Sequence, residues 1–431
     1  MLKPQWQVVM FALVATLSQV AAGVARAAPP LPAATPQSEG VSPARLEKLH
    51  EFMRGRIDSG EYLGAVTLVA RHGKILDWQA FGHRDLMRTS RMDPESIFRI
   101  YSMTKTITSV AVLMLMEEGR FALDDPVARY LPEFSDMAVF AGGTVDAPVL
   151  RPAARAITIR HLLIHASGFA VGGEDAPQAV ETLMHAGLDQ APDLAAYCRI
   201  LAGLALATDP GTRFNYDGVP LVVLSRLVEV TSGMPFDRFL QLRIFGPLAM
   251  TDTGFGVPQG KRNRIVEMTS IDAEGRLVPA PGYAGRPAGD PLNPYFSGAG
   301  GLYSTAADYL RFSQMLLNGG VLDDASILGR KTVELMMTNQ LSHLDPPAAE
   351  FRPGEGFGLG GSVVVDVARR GRLGSRGQFG WSGAAATYYM IDREEGLVAM
   401  LLMQHLPEGL PRDPPKVSAK FYNLVYQSLV E

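Results

Sequence analysis

Ile97-Phe98-Arg99-Ile100-Tyr101-Ser102-Met103-Thr104-Lys105-Thr106-Ile107 opens the stretch on which the fold turns. Ile97 to Ile100 is a short apolar approach. From Ser102 onward, Ile107, Val110, Ala111, Leu113, Met114 and Met116 recur at helical spacing. That spacing predicts a long helix with this face inward, and Gly119 is placed to end it. Ser102 stands at the helix start, where the first amides are unpaired and the dipole is positive. Three residues make nearly one turn, so Ser102 and Lys105 share a face. A serine hydroxyl is a weak nucleophile alone, and a neighbouring amine can take its proton. A capping serine followed by a surface lysine gives the same four letters, so the tetrapeptide does not decide by itself.

On the N-terminal side of this stretch, Ser42-Pro43 starts a helix as cap and first residue, with Leu46, Leu49, Phe52 and Met53 as its apolar stripe. Gly64 to Ala70 and Lys74 to Phe81 read as strands around a His72-Gly73 turn. From about 120 to 254 the pattern is helical with Pro/Gly-rich joints, as in Ile159 to Ile164 and Leu221 to Val230. The last third returns to strands. Ala385 to Ile391 and Leu397 to Met403 flank a turn at Asp392 to Gly396, and a helix from about Lys416 to Leu429 follows. Strands at both ends and helices between them predict an α/β (α+β) fold. An α/β domain made of 42–118 and 255–431 carries an inserted helical domain, 119–254.

Two further segments carry chemistry. Asp209-Pro-Gly-Thr-Arg-Phe-Asn-Tyr-Asp-Gly218 is a Pro-Gly turn that delivers Tyr216 into a polar loop before an apolar helix. A tyrosine beside a lysine ammonium is a usable base; a half-buried tyrosine tied to backbone would look the same. Gly380-Trp381-Ser382-Gly383-Ala384 leads into the strand expected from Ala385. Small residues there let a substrate lie along a strand edge, and the Ala384 amide could join that of Ser102 as an oxyanion hole. A Gly-rich hairpin with one packing tryptophan is the plainer reading.

The three segments together resemble the serine β-lactamase-like proteins of the penicillin-recognising fold. The similarity is closest to the esterases related to class C β-lactamases, the family VIII carboxylesterases. It runs from about Ser42 to Gln404. Ile157-Thr-Ile-Arg-His-Leu-Leu-Ile-His-Ala-Ser-Gly168 and Gly298-Ala-Gly-Gly-Leu-Tyr-Ser-Thr-Ala-Ala-Asp308 also look like segments of that family. The resemblance implies an antiparallel sheet flanked by helices, with the active site in a cleft against the helical domain. It implies Ser102 as the acylated serine, Lys105 as the lysine one turn later and Tyr216 as the tyrosine of a Tyr-x-Asn motif. It places Trp381-Ser382-Gly383 where lactamases and peptidases have Lys-Thr-Gly. It requires no metal and no cofactor.

Two positions depart from that pattern. Gly218 stands where the motif has Asn, so the amide that would hold a peptide-like side chain is missing. Trp381 replaces a lysine that would help bind a substrate carboxylate and offers an apolar wall instead. Both changes point to hydrolysis of neutral, short-chain carboxylic esters, with β-lactam turnover as a side activity. Loops around 172–192 and 277–294 are expected to shape the acyl pocket. A β-lactamase or D-alanyl-D-alanine peptidase is the alternative on the same fold, and a non-catalytic sensing module a second.

Composition narrows the field. Of 431 residues, 47% are hydrophobic and 19% charged, a mixture unlike disordered, collagenous or coiled-coil chains. The formal charge is −4, so no global basic surface recruits nucleic acid. A single cysteine, Cys198, leaves no internal disulfide, and it reads as an inert core residue. His161 and His165 lie four apart but lack the intervening Glu of a zinc-protease helix, and are read as structural. No G-x-S-x-G pentapeptide occurs. Residues 1–27 have Lys3, an apolar run from Val8 to Leu17 and Ala25-Arg26-Ala27, the layout of a cleaved secretory leader. Residues 28–41, with four prolines, read as a linker. The expectation is a periplasmic or secreted monomer that acts on a small-molecule ester and is not inserted in a membrane.

Overall fold

The computed structural model describes residues 31–169, 176–281 and 288–431. The expected leader at 1–27 lies outside the described residues, as do parts of the loops 172–192 and 277–294.

Helix α1 (Pro43–Asp58) precedes the hairpin β1 (Gly64–Arg71) and β2 (Lys74–Gly82). Helix α2 (Thr104–Glu117) follows the Ser102 turn, and α3 (Val219–Ser232) follows the Tyr216 loop. Then come α4 (Ala306–Leu317), β3 (Glu355–Phe357), β4 (Ser362–Val364), β5 (Phe379–Gly383), β6 (Thr387–Asp392), β7 (Leu397–Leu402) and α5 (Ser418–Tyr426). The main sheet is ordered β3-β4-β5-β6-β7-β1-β2, and every neighbouring pair is antiparallel. The β1–β7 pair joins Val66 to Leu402 through Arg71 to Leu397, so the N- and C-terminal parts of the chain meet mid-sheet.

Side-chain alternation explains why the sheet is covered on both faces. Val66, Leu68 and Ala70 of β1 join Val398, Met400 and Leu402 of β7 in the core that also holds α2 and α4 residues. Ala65, Val69, Leu397, Ala399 and Leu401 face the other way, against Leu49 and Met53 of α1 and Phe421 and Val425 of α5. Each fully buried Leu, Ile or Phe contributes roughly 1.5–3 kcal/mol through lost water contact.

Helix α2 is more deeply placed than its stripe predicts. Thr104 through Leu115 are all buried, polar residues included. Two of their hydroxyls are answered by distant backbone: Thr106 Oγ1 donates to the Gly360 carbonyl at 2.9 Å and Thr108 Oγ1 to the Gly298 carbonyl at 2.8 Å. Paired in this way, buried polar groups avoid the cost of lost hydration. The helix packs against α3 from the middle of the chain, and the core continues through both, from Met400 to Phe134 and Leu201. Among the described residues of 119–254, helices alternate with loops and a hairpin of Ala138–Gly143 and Pro148–Pro152.

Two readings are corrected. The strand expected from Ala385 starts at Thr387; Ala384 to Ala386 form a turn with Ala386 at φ 59°, and Phe379–Gly383 is a strand in its own right. Three consecutive alanines carry no turn signal, so the boundary was invisible in the letters. Residues 31–41, read as a linker, lie against the body. Ala34 N donates to Ile75 O, Ile75 N donates to Pro32 O, and Glu39 accepts from Lys74 Nζ at 2.6 Å.

Candidate active site

Ser102 does not begin the α-helix. It occupies a 3₁₀ turn, Tyr101–Met103, that runs directly into α2. Tyr101 enters this turn at φ 43°, left-handed backbone that costs a non-glycine residue about 1 kcal/mol or more. The strained entry presents Ser102, half-buried, while Lys105 on α2 is only 4% exposed. Lys105 Nζ lies 2.9 Å from Ser102 Oγ and 2.7 Å from the Ala299 carbonyl.

No sequence signal marked Ala299 itself, although it lies within the Gly298–Asp308 segment that resembles the family. Gly298 N donates to Ser225 Oγ of α3 at 3.0 Å while its carbonyl accepts from Thr108 of α2. A Cβ at Gly298 would lie 2.2 Å from Ser225 Oγ and 2.7 Å from Thr108 Oγ1, so only glycine fits between the two helices. The clamp fixes the next carbonyl where it receives the lysine.

Tyr216 arrives from a loop anchored at Asp209. That carboxylate accepts two bonds from Arg151, at 2.9 and 2.6 Å, and one from Ala154 N at 2.8 Å. These partners, Arg151 foremost, pull Asp209 down to about 2. The Tyr216 ring faces Lys105, whose Nζ is 5.2 Å from the ring centroid. Its hydroxyl accepts a 2.8 Å bond from Trp381 Nε1, and the two rings pack at 4.8 Å. On its other side Trp381 meets Phe357 edge-on at 5.1 Å and Phe351 at 6.2 Å.

Trp381, Ser382 and Gly383 extend past the β4–β5 ladder, which ends at the Ser362–Gly380 pair, and are paired there only to β6. Gly383 touches the turn that carries Ser102: a Cβ built on it would be 2.4 Å from the Ile100 carbonyl and 2.2 Å from Thr387 Oγ1. Ala384, next in the chain, is exposed. The residues expected at the site therefore fall into one region. Ser102, Lys105, Tyr216 and Trp381 are linked by direct contacts, and Gly383 ends a strand that abuts the serine turn, with Ala384 opening the turn after it. Gly218, the departure in the tyrosine motif, faces Ala299 with 3.4 Å between its ideal Cβ position and the Ala299 Cβ.

His161 and His165 have separate surroundings. His161 closes a capping box: its N donates to Thr158 Oγ1 at 3.1 Å and its Nδ1 accepts from Thr158 N at 3.2 Å. Burial, with Arg155 nearby, holds its pKa down at about 4. His165 is buried against the Tyr216 ring, with centroids 4.7 Å apart. Asp217 is buried too. Its Oδ1 accepts from Val219 N at 2.6 Å, and burial raises the carboxyl to about 7 although the Val219 amide and Lys105 favour the ionised form. Cys198 is buried and its thiol is pushed far up by desolvation.

Comparison with known proteins bears on the family and the fold. The family profile described as Beta-lactamase matches residues 49–419. Protein Rv1367c of Mycobacterium tuberculosis is 36% identical over 363 residues, covering 81% of this chain and 88% of its own. Esterase EstB of Burkholderia gladioli is 32% identical over 369 residues, covering 81% and 87%. The solved structure described as EstCE1, a hydrolase with promiscuous acyltransferase activity, superposes with a TM-score of 0.70 at 25% identity, covering 90% of this chain and 99% of its own. A profile match over most of the chain, on an antiparallel sheet flanked by helices, places this chain in the beta-lactamase family, as a serine hydrolase of that fold.

Proposed function

We propose that this protein hydrolyses short-chain carboxylic esters through an acyl-enzyme on Ser102. Lys105 and Tyr216 jointly take the Ser102 proton as its Oγ attacks the ester carbonyl. The amides of Ser102 and Ala384 receive the developing oxyanion, a contribution of roughly 3 kcal/mol per donor in other enzymes. Tyr216 protonates the departing alcohol. A water activated by the same pair then attacks the acyl-enzyme and frees the acid and Ser102.

The observation that carries the ester reading is the Trp381–Tyr216 bond. A neutral indole fills the place of a cation that would attract an anionic β-lactam or peptide carboxylate, and its one N–H is already used on Tyr216. The aromatic face of Trp381, with Phe351 beside it and the buried Phe357 behind, suits an uncharged substrate. The esterase name of one relative and the hydrolase description of a solved neighbour support the same chemistry.

The test is hydrolysis of p-nitrophenyl butyrate and of a chromogenic cephalosporin by wild type and Ser102→Ala. Ester turnover well above lactam turnover, falling by about 10⁴-fold or more in S102A, is expected. Cephalosporin turnover far above ester turnover would replace the substrate assignment. Undiminished ester turnover in S102A would remove the nucleophile.

A further inference from the structure

Both chain neighbours of Tyr216, and its ring, rest on one residue that touches no substrate in the scheme above. His165 leaves the short helix Ile159–Leu163 with φ 55°, again left-handed backbone on a non-glycine residue. Its carbonyl accepts from Asn215 N at 2.8 Å, and its Nδ1 takes a longer 3.5 Å bond from Asp217 N. These are the residues immediately before and after Tyr216. Between the two bonds the imidazole packs against the Tyr216 ring at 4.7 Å with an interplanar angle of 51°. The imidazole is itself wedged edge-on by Phe214 at 6.0 Å and Phe357 at 5.3 Å.

We propose that His165 is a positioning residue for Tyr216, acting as a neutral imidazole that supplies a stacking surface and, at Nδ1, an acceptor for the amide following the tyrosine. The inference rests on the reading of Tyr216 as the proton-transfer partner of Ser102. An Nδ1 that accepts puts the ring proton on Nε2, and Nε2 has no hydrogen-bond partner among the described residues. An unanswered buried polar atom is a cost that a purely packing side chain such as Phe would not incur. Full burial, with the charge of Lys105 nearby, keeps the ring uncharged well below the usual histidine range. An imidazolium there could not accept from Asp217 N, so the neutral form is the one the geometry uses.

His165→Phe keeps a ring and removes the acceptor; His165→Asn keeps an acceptor near the Nδ1 position and removes the stack. Both are measured on the full chain with p-nitrophenyl butyrate, alone and combined with Tyr216→Phe. A positioning role predicts that H165F lowers kcat about tenfold with KM within about twofold, and that H165N retains more activity than a double loss of stack and acceptor in His165→Ala. It also predicts that H165F costs little further in the Y216F background, because the group it positions is gone. A cost that multiplies fully in that background, or an H165F turnover equal to wild type, would overturn the proposal while leaving Tyr216 its role. Y216F at the wild-type rate would remove the Tyr216 assignment and this one with it. If H165F does not fold, the same cycle run with H165N decides.

Discussion

Trp381 Nε1 donates to the Tyr216 hydroxyl at 2.8 Å. The residue that departs most clearly from the lactamase pattern is thus wired to the proposed proton-transfer tyrosine. An indole N–H stabilises negative charge on that oxygen without adding a cation to the cleft. Trp381→Phe keeps the aromatic wall and removes only the N–H. We expect kcat for p-nitrophenyl butyrate to fall about tenfold, the size of one lost hydrogen bond to a charged group, with KM little changed. Steady-state kinetics check this; an unaltered rate would show that the bond serves packing alone.

Gly383 is a second sensitive point, for steric reasons. A Cβ there would stand 2.4 Å from the Ile100 carbonyl, which is backbone and cannot rotate away. Gly383→Ala must push the end of β5 off the Ser102 turn, and the Ala384 amide moves with it. Ester turnover is expected to drop by about two orders of magnitude or more, the scale of one misplaced oxyanion donor. Circular dichroism and a melting curve should show the fold retained. Wild-type turnover in G383A would count against an oxyanion role for Ala384.

The buried carboxyl of Asp217 makes stability depend on pH. Its pKa is raised to about 7 in the folded protein, against roughly 3.9 unfolded. Between those values the folded state holds a proton that the unfolded state releases, so this group's contribution falls as pH rises from about 4 to 7 and stays lost above. Asp217→Asn removes the buried charge and keeps an acceptor for Val219 N. We expect D217N to match wild type near pH 4 and to exceed it by on the order of 2–4 kcal/mol at pH 8. Urea unfolding of both proteins at the two pH values decides it. Equal stabilities at pH 8 would mean that the carboxylate is compensated when ionised.

Cys198 should be chemically silent in the native state. It is fully buried and desolvation disfavours its thiolate, the reactive form. A disulfide-exchange reagent such as DTNB is expected to titrate one thiol in denaturant and none without it. Prompt labelling of the native protein would reveal an opening of the packing around the helix Leu194–Ala202 that carries this cysteine.

Much of the fold was legible in short-range patterns. The apolar runs of Gly64–Arg71 and Leu397–Leu402 beside their turn residues, and the helical spacing after Ser102, placed these elements within one or two residues. Short buried runs bounded by turns, and the 3.6-residue helical period, are local signals that a single sequence carries. Ser102 and Lys105 were paired for the same reason: they lie three residues apart on one turn. The start of β6 was not legible, because Ala384-Ala385-Ala386 turns on a left-handed alanine that the sheet pairing imposes.

The order of elements, the serine–lysine pair and the two departures from the lactamase pattern at Gly218 and Trp381 are all written in the chain. What those residues touch is not; it follows from how the chain packs. Lys105 meets the Ala299 carbonyl across 194 residues, and Trp381 meets Tyr216 across 165. His165 binds the backbone on both sides of that tyrosine. The physical reason is that such contacts have no period along the chain. They form where α2, α3 and the end of β5 converge, and that convergence is set by burying one continuous core rather than by any local run of residues.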